Sequence, residues 1–330
     1  MAMSQPPAAS SSLPCLVLDY GDEQRTSTMY SVTDGAHRPC DDAVDELLRG
    51  KKRSWVTSHG WVLVWDPATL TSYLTREKNK IELPSLAKPP VKAADCVLSS
   101  EPTDAGGCTV LLAAKSSNVM WYCRVGDPAA PWSWVRQEYD VGNIHAPADY
   151  VGPTKRVMYR PASWRGKFYY QRPGDEIGVL EFSPAAGPVF SVLPMKGVKL
   201  VPVGDCMAAA SPYLLDLDGE LYMVYIFFRN IDFNTVKDVG VYRLDFERKE
   251  AVRVDGVGDH AILVGSSRAF AGWCPATTFG LVPNSVYWMS TYDGCLHVYD
   301  LEHKTEEVRE PCVGVAKPSP TSFWMIPAHT

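Results

Sequence analysis

Short runs of strand-forming residues, each ended by a polar turn, recur along this chain. The clearest unit opens on the tight-turn pair Asp218-Gly219, continues through an apolar run and a polar loop, and adds two further runs. The same order follows once more after Asn284. The runs of these two copies are 220–228, 239–245 and 251–254, then 286–289, 295–301 and 305–308. Runs rich in β-branched and aromatic residues between turn residues are typical of strands, so the pattern predicts a repeated antiparallel sheet.

Weaker copies of this unit extend over the rest of the chain. The turn residues that mark successive copies are Gly60, Gly107, Gly166, Gly219 and Asn284. Their spacings are roughly 47, 59, 53 and 65 residues, and all but the first exceed the usual propeller blade of about 40 to 50 residues, so the surplus belongs to loops. Sheets packed around an axis bury both faces of each sheet and leave only short edges. The sequence therefore predicts an all-β fold, a β-propeller of about six four-stranded blades, with five and seven as alternatives.

The two ends of the chain are predicted to meet in one blade. The N-terminal runs 16–18 and 29–32 are too few for a full sheet, and 323–327 can supply the missing strand. We therefore expect closure by pairing of N- and C-terminal strands. Residues 1–12, rich in Ala, Ser and Pro, are predicted to be a disordered leader, and 13–330 a single propeller domain.

One short helix interrupts the strand pattern. Asp41 can cap its start and Gly50 can end it, with Val44, Leu47 and Leu48 as its apolar stripe. We expect this helix to lie as a lid over one end of the propeller.

Composition narrows the partners and the compartment. With 46% hydrophobic and 21% charged residues and a net charge of −6, the chain gives no electrostatic reason to expect nucleic acid. It also lacks an apolar run long enough to cross a membrane. Nine cysteines without a framework of close pairs favour a reducing compartment, the cytoplasm or the nucleus or both. Organellar targeting stays open as an alternative.

Several motifs resemble a known family. Ser58-His59-Gly60-Trp61 followed by Ile81-Glu82-Leu83-Pro84 is similar to the opening motif of the KIB-type plant β-propellers, the domain of unknown function 295 family. The further matching segments are 213–216, 219–224, 241–246, 257–265 and 283–287. The resemblance covers nearly the whole chain and implies a kelch-like propeller.

Many members of that family carry an F-box, which docks into a cullin-type ubiquitin ligase while the propeller holds the substrate. Here only about a dozen residues precede the first predicted strand, and we expect no F-box among them. The resemblance therefore implies the recognition half of such a receptor. Ubiquitin-ligase components are expected as indirect partners at most.

Residue types suited to metal or nucleophilic chemistry occur without a complete set. Cys295 with His297 and His303, and His37 with Cys40, have zinc-ligand chemistry, but a closed zinc site needs four ligands. We interpret them as core thiols and exposed histidines. Ser58-His59, Cys206 and Cys274 lack the Gly-x-Ser-x-Gly turn or a basic neighbour that would activate a nucleophile. No catalytic residue, cofactor or metal is predicted.

Paired carboxylates give the alternative function. Some propellers hydrolyse glycans with two Asp or Glu residues, and several aspartates could approach the central channel. They are Asp95, Asp205, Asp216, Asp218 and Asp259. Turn chemistry explains most of them without catalysis, so glycan hydrolysis is retained as the alternative to binding.

Aromatic residues in loops indicate where a partner would bind. In a four-stranded blade the connection between the second and third strands opens on the same end as the connection to the next blade. The loops 143–154, 229–237 and 291–294 should therefore share one rim. The candidate partner-binding residues on them are His145, Tyr150, Arg229, Phe233 and Tyr292. Phe233 lies between two polar residues and does not fit a core position. We predict a non-catalytic propeller that recognises a protein partner, like the substrate-binding half of an F-box receptor.

Overall fold

The computed structural model describes residues 13–19, 27–40, 42–48, 52–77, 79–87, 93–127, 131–144, 152, 154–183, 187–198, 209–231, 233, 235–265, 270–312 and 322–327. The predicted leader, 1–12, lies outside them. Within the described part, strands β1 to β25 form six separate sheets arranged as the blades of a propeller. The prediction of six blades is confirmed.

Blades are numbered along the chain, and within each the strands are given from the innermost outward. Blade 1 holds β25 (Phe323–Met325), β1 (Cys15–Leu18), β2 (Thr28–Ser31) and β3 (His37–Pro39). Blade 2 holds β4 (Arg53–Val56), β5 (Val62–Trp65), β6 (Ser72–Arg76) and β7 (Asn79–Leu83). Blade 3 holds β8 (Ala94–Leu98), β9 (Cys108–Ala114), β10 (Val119–Val125) and β11 (Val135–Glu138).

The second half of the ring repeats this order with longer strands. Blade 4 holds β12 (Tyr159–Trp164), β13 (Lys167–Gln171), β14 (Glu176–Ser183) and β15 (Gly187–Pro194). Blade 5 holds β16 (Ala209–Leu217), β17 (Glu220–Phe228), β18 (Val236–Asp245) and β19 (Glu250–Val254). Blade 6 holds β21 (Ala271–Pro275), β20 (His260–Val264), β22 (Ser285–Met289), β23 (Leu296–Asp300) and β24 (Thr305–Arg309).

Alternation along each strand explains why the blades stack. In β16, Tyr213, Leu215 and Leu217 pack into the cluster shared with blade 6. Leu214, one residue out of phase, packs into the cluster shared with blade 4. Successive side chains of a strand point to opposite faces. Each sheet is therefore apolar on both sides and needs a neighbour on each.

The ring closes through the two chain ends, as predicted. β25 pairs antiparallel with β1, with Trp324 opposite Leu16. The Trp324 side chain is 1% exposed, and its Nε1 donates to the carbonyl oxygen of Val264 in blade 6 at 2.9 Å. Blade 1 is thus held to blade 6 by burial and by a buried hydrogen bond.

Blade 6 differs from the predicted four strands because it contains a fifth. β20 lies between β21 and β22 and pairs with β22 in parallel, whereas it pairs with β21 antiparallel. Residues 261–264 are all buried. A strand that is buried on both faces has a continuous apolar sequence, and such sequences are typical of parallel strands. Sequence pattern alone does not reveal such a crossover.

Two short helical segments accompany the strands in the described residues. Helix α1 (Asp42–Leu48) joins blade 1 to blade 2, and a 3-10 turn (Thr277–Phe279) follows β21. The predicted caps of α1, Asp41 and Gly50, lie outside the described residues. Val44 and Leu47 are buried against blades 1 and 2, and α1 contacts β4, the innermost strand of blade 2. No helix in the described residues is long and apolar enough to cross a membrane.

The fold has two rims. We call the end at which the innermost strands begin the entry rim. Because neighbouring strands within blades 2 to 5 run antiparallel, the connection from the second to the third strand returns to this rim. The connection from β22 to β23 in blade 6 lies there too. The opposite rim carries the tight turns such as Asp218-Gly219.

Candidate partner-binding surface

Two of the predicted binding residues meet on the entry rim. Phe233, in the loop between β17 and β18, stacks on Tyr292, in the loop between β22 and β23. Their ring centroids are 5.4 Å apart and their planes differ by 8°. The topological argument from sequence therefore placed these two loops correctly. The pair bridges the outer ends of blades 5 and 6.

Phe233 is also part of the core, contrary to expectation. Its ring meets the buried ring of Phe228 edge-on at 5.1 Å, and it packs against the cluster between blades 5 and 6. Tyr292, by contrast, is 52% exposed. The solvent-facing partner of the stack is therefore Tyr292, and Phe233 supports it from below.

Backbone hydrogen bonds fix the loop that carries Phe233. The Arg229 amide donates to the carbonyl oxygen of Thr235 at 2.9 Å, which closes the loop. Phe233 has a φ of 57°, a left-handed conformation that bulky residues rarely adopt without support from their surroundings. Arg229 is exposed beside it. The loop presents a fixed aromatic ring and a solvated cation side by side.

The loop that carries Tyr292 is held by Ser290. The Ser290 hydroxyl accepts the backbone N–H groups of Tyr292 and Asp293 at 3.3 and 3.4 Å. Gly294 takes the left-handed conformation, with a φ of 74°, and donates to the carbonyl of Ser290. The tight turn therefore sets the position of Tyr292 through its backbone.

A buried histidine anchors the same loop from below. His297 Nε2 lies 3.0 Å from a carboxylate oxygen of Asp293, and its Nδ1 lies 2.7 Å from one of Glu306. The ring stacks on Trp288 at 5.0 Å. Burial lowers the pKa of His297, but the hydrogen bond to Glu306 and the charges of both carboxylates outweigh burial and raise it. His297 thus ties the Tyr292 loop to β24 through contacts with both carboxylates.

The interpretation of His297 as an exposed histidine was wrong, since it is 4% exposed. Both its ring nitrogens face carboxylates, so it does not join Cys295 in a metal site. His303 hydrogen-bonds Asp300 through Nδ1 at 2.8 Å, and His37 Nδ1 bonds the Thr28 hydroxyl. Within the described residues, no three potential ligands are grouped as a metal site would need.

An arginine that the sequence argument missed lies near the centre of the entry rim. Arg160 stands at a register shift in β12 and has a φ of 48°. Its guanidinium lies 3.9 Å from the ring centroid of Tyr213 and 5.0 Å from that of Tyr159. It also donates to the carbonyl oxygen of Pro212 at 2.9 Å. Bulges of this kind re-aim side chains, and here one directs a cation between two tyrosines.

The Arg160–Tyr213 pair and the Phe233–Tyr292 stack share one apolar cluster. Tyr213 belongs to the buried cluster between blades 5 and 6, and Phe233 packs against that cluster. We call the five residues on blades 4 to 6 the aromatic row. Its members are Tyr159, Arg160, Tyr213, Phe233 and Tyr292. Exposed Tyr159 (43%) and Tyr292 (52%) lie toward its two ends.

Of the remaining predicted binding residues, Arg229 lies on the loop that carries Phe233. His145 and Tyr150 lie outside the described residues. Tyr159 and Arg160 had one weak signal in the sequence, their place just before Pro161 at the start of a strand. Nothing in the pattern marks a bulge there, because the register shift depends on how β12 pairs with β13.

A small cavity lies among the innermost strands, in the central channel. Its volume is about 20 Å³, close to the volume that one water needs. The residues that line it come mainly from the innermost strands and include no carboxylate. They are Ser58, Cys96, Val97, Arg160, Pro161, Ala162, Tyr213, Leu214, Phe270 and Ala271. Paired carboxylates across an open pocket, the geometry of a propeller glycosidase, do not occur in this lining.

The candidate aspartates that the structure describes serve turns and ion pairs. Buried Asp95 pairs with Lys115 at 2.8 Å. Asp216 accepts the Gly219 amide at 2.9 Å in the hairpin turn. Asp218 lies 3.0 Å from His260. Asp259 accepts the amide and hydroxyl of Thr277, and Asp205 lies outside the described residues.

The candidate nucleophiles show no activating geometry among the described residues. Cys274 is buried, and burial together with the charge of Asp259 raises its pKa to about 12. A thiol with so high a pKa is a poor nucleophile near neutral pH. His59 Nε2 lies 3.3 Å from the Ser163 hydroxyl on the opposite rim. Ser58 faces the channel, and Cys206 lies outside the described residues.

The solved structures to which the chain is similar share little sequence with it. None of the curated proteins compared with the chain matches it. Among solved structures, the dihydro-heme d1 dehydrogenase NirN in complex with DHE is 12% identical, covering 98% of this chain and 77% of its own, with a TM-score of 0.34. Apo AztD from Citrobacter koseri is 11% identical, covering 89% of this chain and 85% of its own, with a TM-score of 0.35.

A family model gives the stronger result. The model described as the KIB1-4 beta-propeller matches residues 29–313. That span runs from β2 in blade 1 to the end of blade 6, and it includes every segment on which the resemblance was based. The chain belongs to the KIB1-4 beta-propeller family.

Proposed function

We propose that this chain is a non-catalytic protein-recognition module that binds a partner protein across the aromatic row. The observation that carries the proposal is the half-exposed Tyr292, stacked on Phe233, which packs against the same cluster as the Arg160-bound Tyr213. Tyrosine and arginine are the residues that most often dominate the energy of protein interfaces. A surface that groups several tyrosines with an arginine is therefore well composed to bind a protein.

Preorganisation supports the same proposal. Ordering a flexible side chain on binding costs about 0.5–1.5 kcal/mol. Here Phe233 and Tyr292 are already stacked, and Arg160 is already bonded to the carbonyl of Pro212. A partner that covers the row therefore meets side chains whose conformations are largely fixed. Ile231, 78% exposed on the same loop as Phe233, adds apolar area at the edge.

The test is affinity purification with quantitative mass spectrometry from cells of the source organism. The variant Tyr159→Ser with Tyr292→Ser removes the two exposed rings of the row and leaves the core contacts of Phe233 in place. The matched control is Trp132→Ser, because Trp132 is 61% exposed and lies in blade 3 between β10 and β11, outside the aromatic row. Each variant is first checked for a wild-type melting curve.

We expect a partner that the wild type and the Trp132 variant recover and the double variant loses by at least about tenfold, as removal of two interface anchors implies. Equal recovery by all three proteins would place the interface elsewhere. Turnover of a sugar or an ester by the purified chain would contradict the non-catalytic part of the proposal.

The finer proposal concerns ubiquitin ligation. We propose that the partner is held as a substrate is held by an F-box receptor, with ligase subunits reached indirectly and in the cytoplasm or nucleus. Family membership and the sequence resemblance support it. Co-immunoprecipitation of cullin, with and without a full-length F-box relative, tests the link, and a fluorescent fusion tests the location. A partner whose half-life does not respond to expression of this chain in either setting would contradict it.

A further inference from the structure

A second feature of the entry rim is a cavity beside Tyr159, separate from the central channel. Its volume is about 490 Å³, within the range of about 300–1,000 Å³ typical of small-ligand pockets. It lies between the connection from blade 3 to blade 4 and the turn between β13 and β14. The lining residues are Val141, Ile144, Lys155, Arg156, Val157, Tyr159, Tyr170, Gln171, Arg172, Pro173 and Gly174.

The wall of this cavity combines apolar surface with cations. Val141 and Tyr170 are buried, while Ile144 and Val157 are partly exposed. Lys155, Arg156 and Arg172 supply three positive charges, and the lining contains no carboxylate. A site of this composition favours a ligand that carries one negative charge on an apolar body.

The three cations are not equally available. Lys155 pairs with Asp140, and Arg172 pairs with Glu176 at 3.2 Å and donates to the carbonyl of Val141 at 2.8 Å. Arg156 differs, because its Nε donates to the backbone carbonyl of Asn143. Among the described residues no carboxylate contacts its guanidinium. Arg156 is therefore held in place by a neutral group at Nε, and its side chain lines the cavity.

We propose that this cavity binds an amphipathic carboxylate, with Arg156 as its charged anchor and Val141, Val157 and Tyr170 against its apolar part. An arginine guanidinium matches the two oxygens of a carboxylate with paired N–H donors. The same chemistry is offered by a small aromatic acid and by the free C-terminus of a peptide that ends in an apolar residue. The proposal does not depend on the aromatic row, since only Tyr159 is common to both.

The experiment is isothermal titration calorimetry of the purified full chain at low salt. The probes are phenylpropionate, its neutral counterpart phenylpropanol, and a short peptide ending in Phe, with its C-terminus either free or amidated. The variants are Arg156→Gln, which removes the charge, and Val157→Trp, which fills the cavity. The matched control is Arg165→Gln, since the Arg165 side chain is 66% exposed at the β12–β13 turn of the opposite rim.

We expect the acid or the free peptide to bind, and the matching alcohol or amide to bind at least about tenfold more weakly, because each loses a charge-assisted hydrogen bond. Arg156→Gln should weaken binding by about 10- to 100-fold, Val157→Trp should abolish it, and Arg165→Gln should leave it unchanged. A peptide that binds at least about tenfold tighter than phenylpropionate identifies a chain end as the source. Otherwise the source is a small acid.

Two outcomes overturn the proposal. One is that neither phenylpropionate nor the free peptide binds the wild type. The other is that charged and neutral probes bind equally, a comparison on the wild type that needs no variant to fold. Loss of the protein partner by the single variant Tyr292→Ser, whose residue does not line this cavity, with phenylpropionate binding intact, would keep this inference separate from the proposed function.

Discussion

Ring closure through Trp324 leads to the sharpest stability prediction. The change is Trp324→Ala in β25. Trp324 is 1% exposed, and truncation of a fully buried tryptophan costs about 3–5 kcal/mol. Loss of the hydrogen bond from Nε1 to Val264 adds about 1 kcal/mol. We therefore expect the free energy of unfolding to fall by about 4–6 kcal/mol, a large part of the 5–15 kcal/mol typical of a folded protein.

The assay is equilibrium unfolding in urea, followed by circular dichroism and by tryptophan fluorescence, with refolding shown to retrace the curve. A slope of at least about 3 kcal/mol per molar urea is expected for a protein of this size, so the midpoint should fall by about 1–2 M. Trp324→Phe keeps most of the buried area and loses the donor, and its cost should lie between the wild type and Trp324→Ala. Trp132→Ala is the control, because Trp132 is 61% exposed and should change stability by no more than about 0.5 kcal/mol.

Equal stability of the Trp324→Ala and Trp132→Ala variants would refute the reasoning. It would mean that the contact between the C-terminal strand and blades 1 and 6 does not hold the ring. A shift in Trp324→Phe as large as that in Trp324→Ala would assign the effect to the hydrogen bond instead of to burial.

Three further predictions concern other sites. Folding raises the pKa of His297 above the value of about 6.5 for an unfolded histidine. The imidazolium therefore stabilises the fold fully below about pH 6.5, and this stabilisation is lost as the pH rises through the higher pKa of the folded state. His297→Gln should therefore lower the free energy of unfolding more at about pH 6 than at about pH 8, and equal losses would contradict the charged clamp. Gly178→Ala should cost about 3 kcal/mol or more in urea unfolding, since its added Cβ would lie 2.2 Å from the buried ring of Tyr170. Gly106→Ala, where nothing lies within 4 Å, should be nearly neutral. Cys274, with its pKa raised to about 12, should react with iodoacetamide in the native protein far more slowly than after unfolding, as followed by mass spectrometry, and similar rates would argue against its burial.

The fold was predictable from sequence because its repeating unit is local. The hairpin at Asp218-Gly219 combines a turn that needs left-handed conformations with flanking strand formers, and both residues have positive φ in the structure. Closure followed from counting strands, because an incomplete N-terminal sheet required a partner. The fifth strand of blade 6 was not predictable. Its parallel pairing depends on where β21 turns back, and nothing in an apolar run specifies that.

The candidate surface was only partly predictable. Topology placed Phe233 and Tyr292 on one rim, and the structure shows them in contact. Phe228, at the end of the strand before the loop, contacts the Phe233 ring from the core side. Residue spacing does not predict this contact. Arg160 depends on a bulge and a positive φ, which arise from long-range packing and leave no mark on the local pattern.

The shared first blade has a consequence for how the protein is made. Its β25 is separated from β1 by nearly the whole chain, so a ribosome that has synthesised blades 2 to 6 still carries an open ring. The apolar flanks of the nascent ring, near Leu16 and Val264, stay without their last neighbour until Trp324 leaves the exit tunnel. Completing contacts over so long a separation is intrinsically slow, and during that interval the growing chain exposes an unpaired sheet edge that chaperones would be expected to bind.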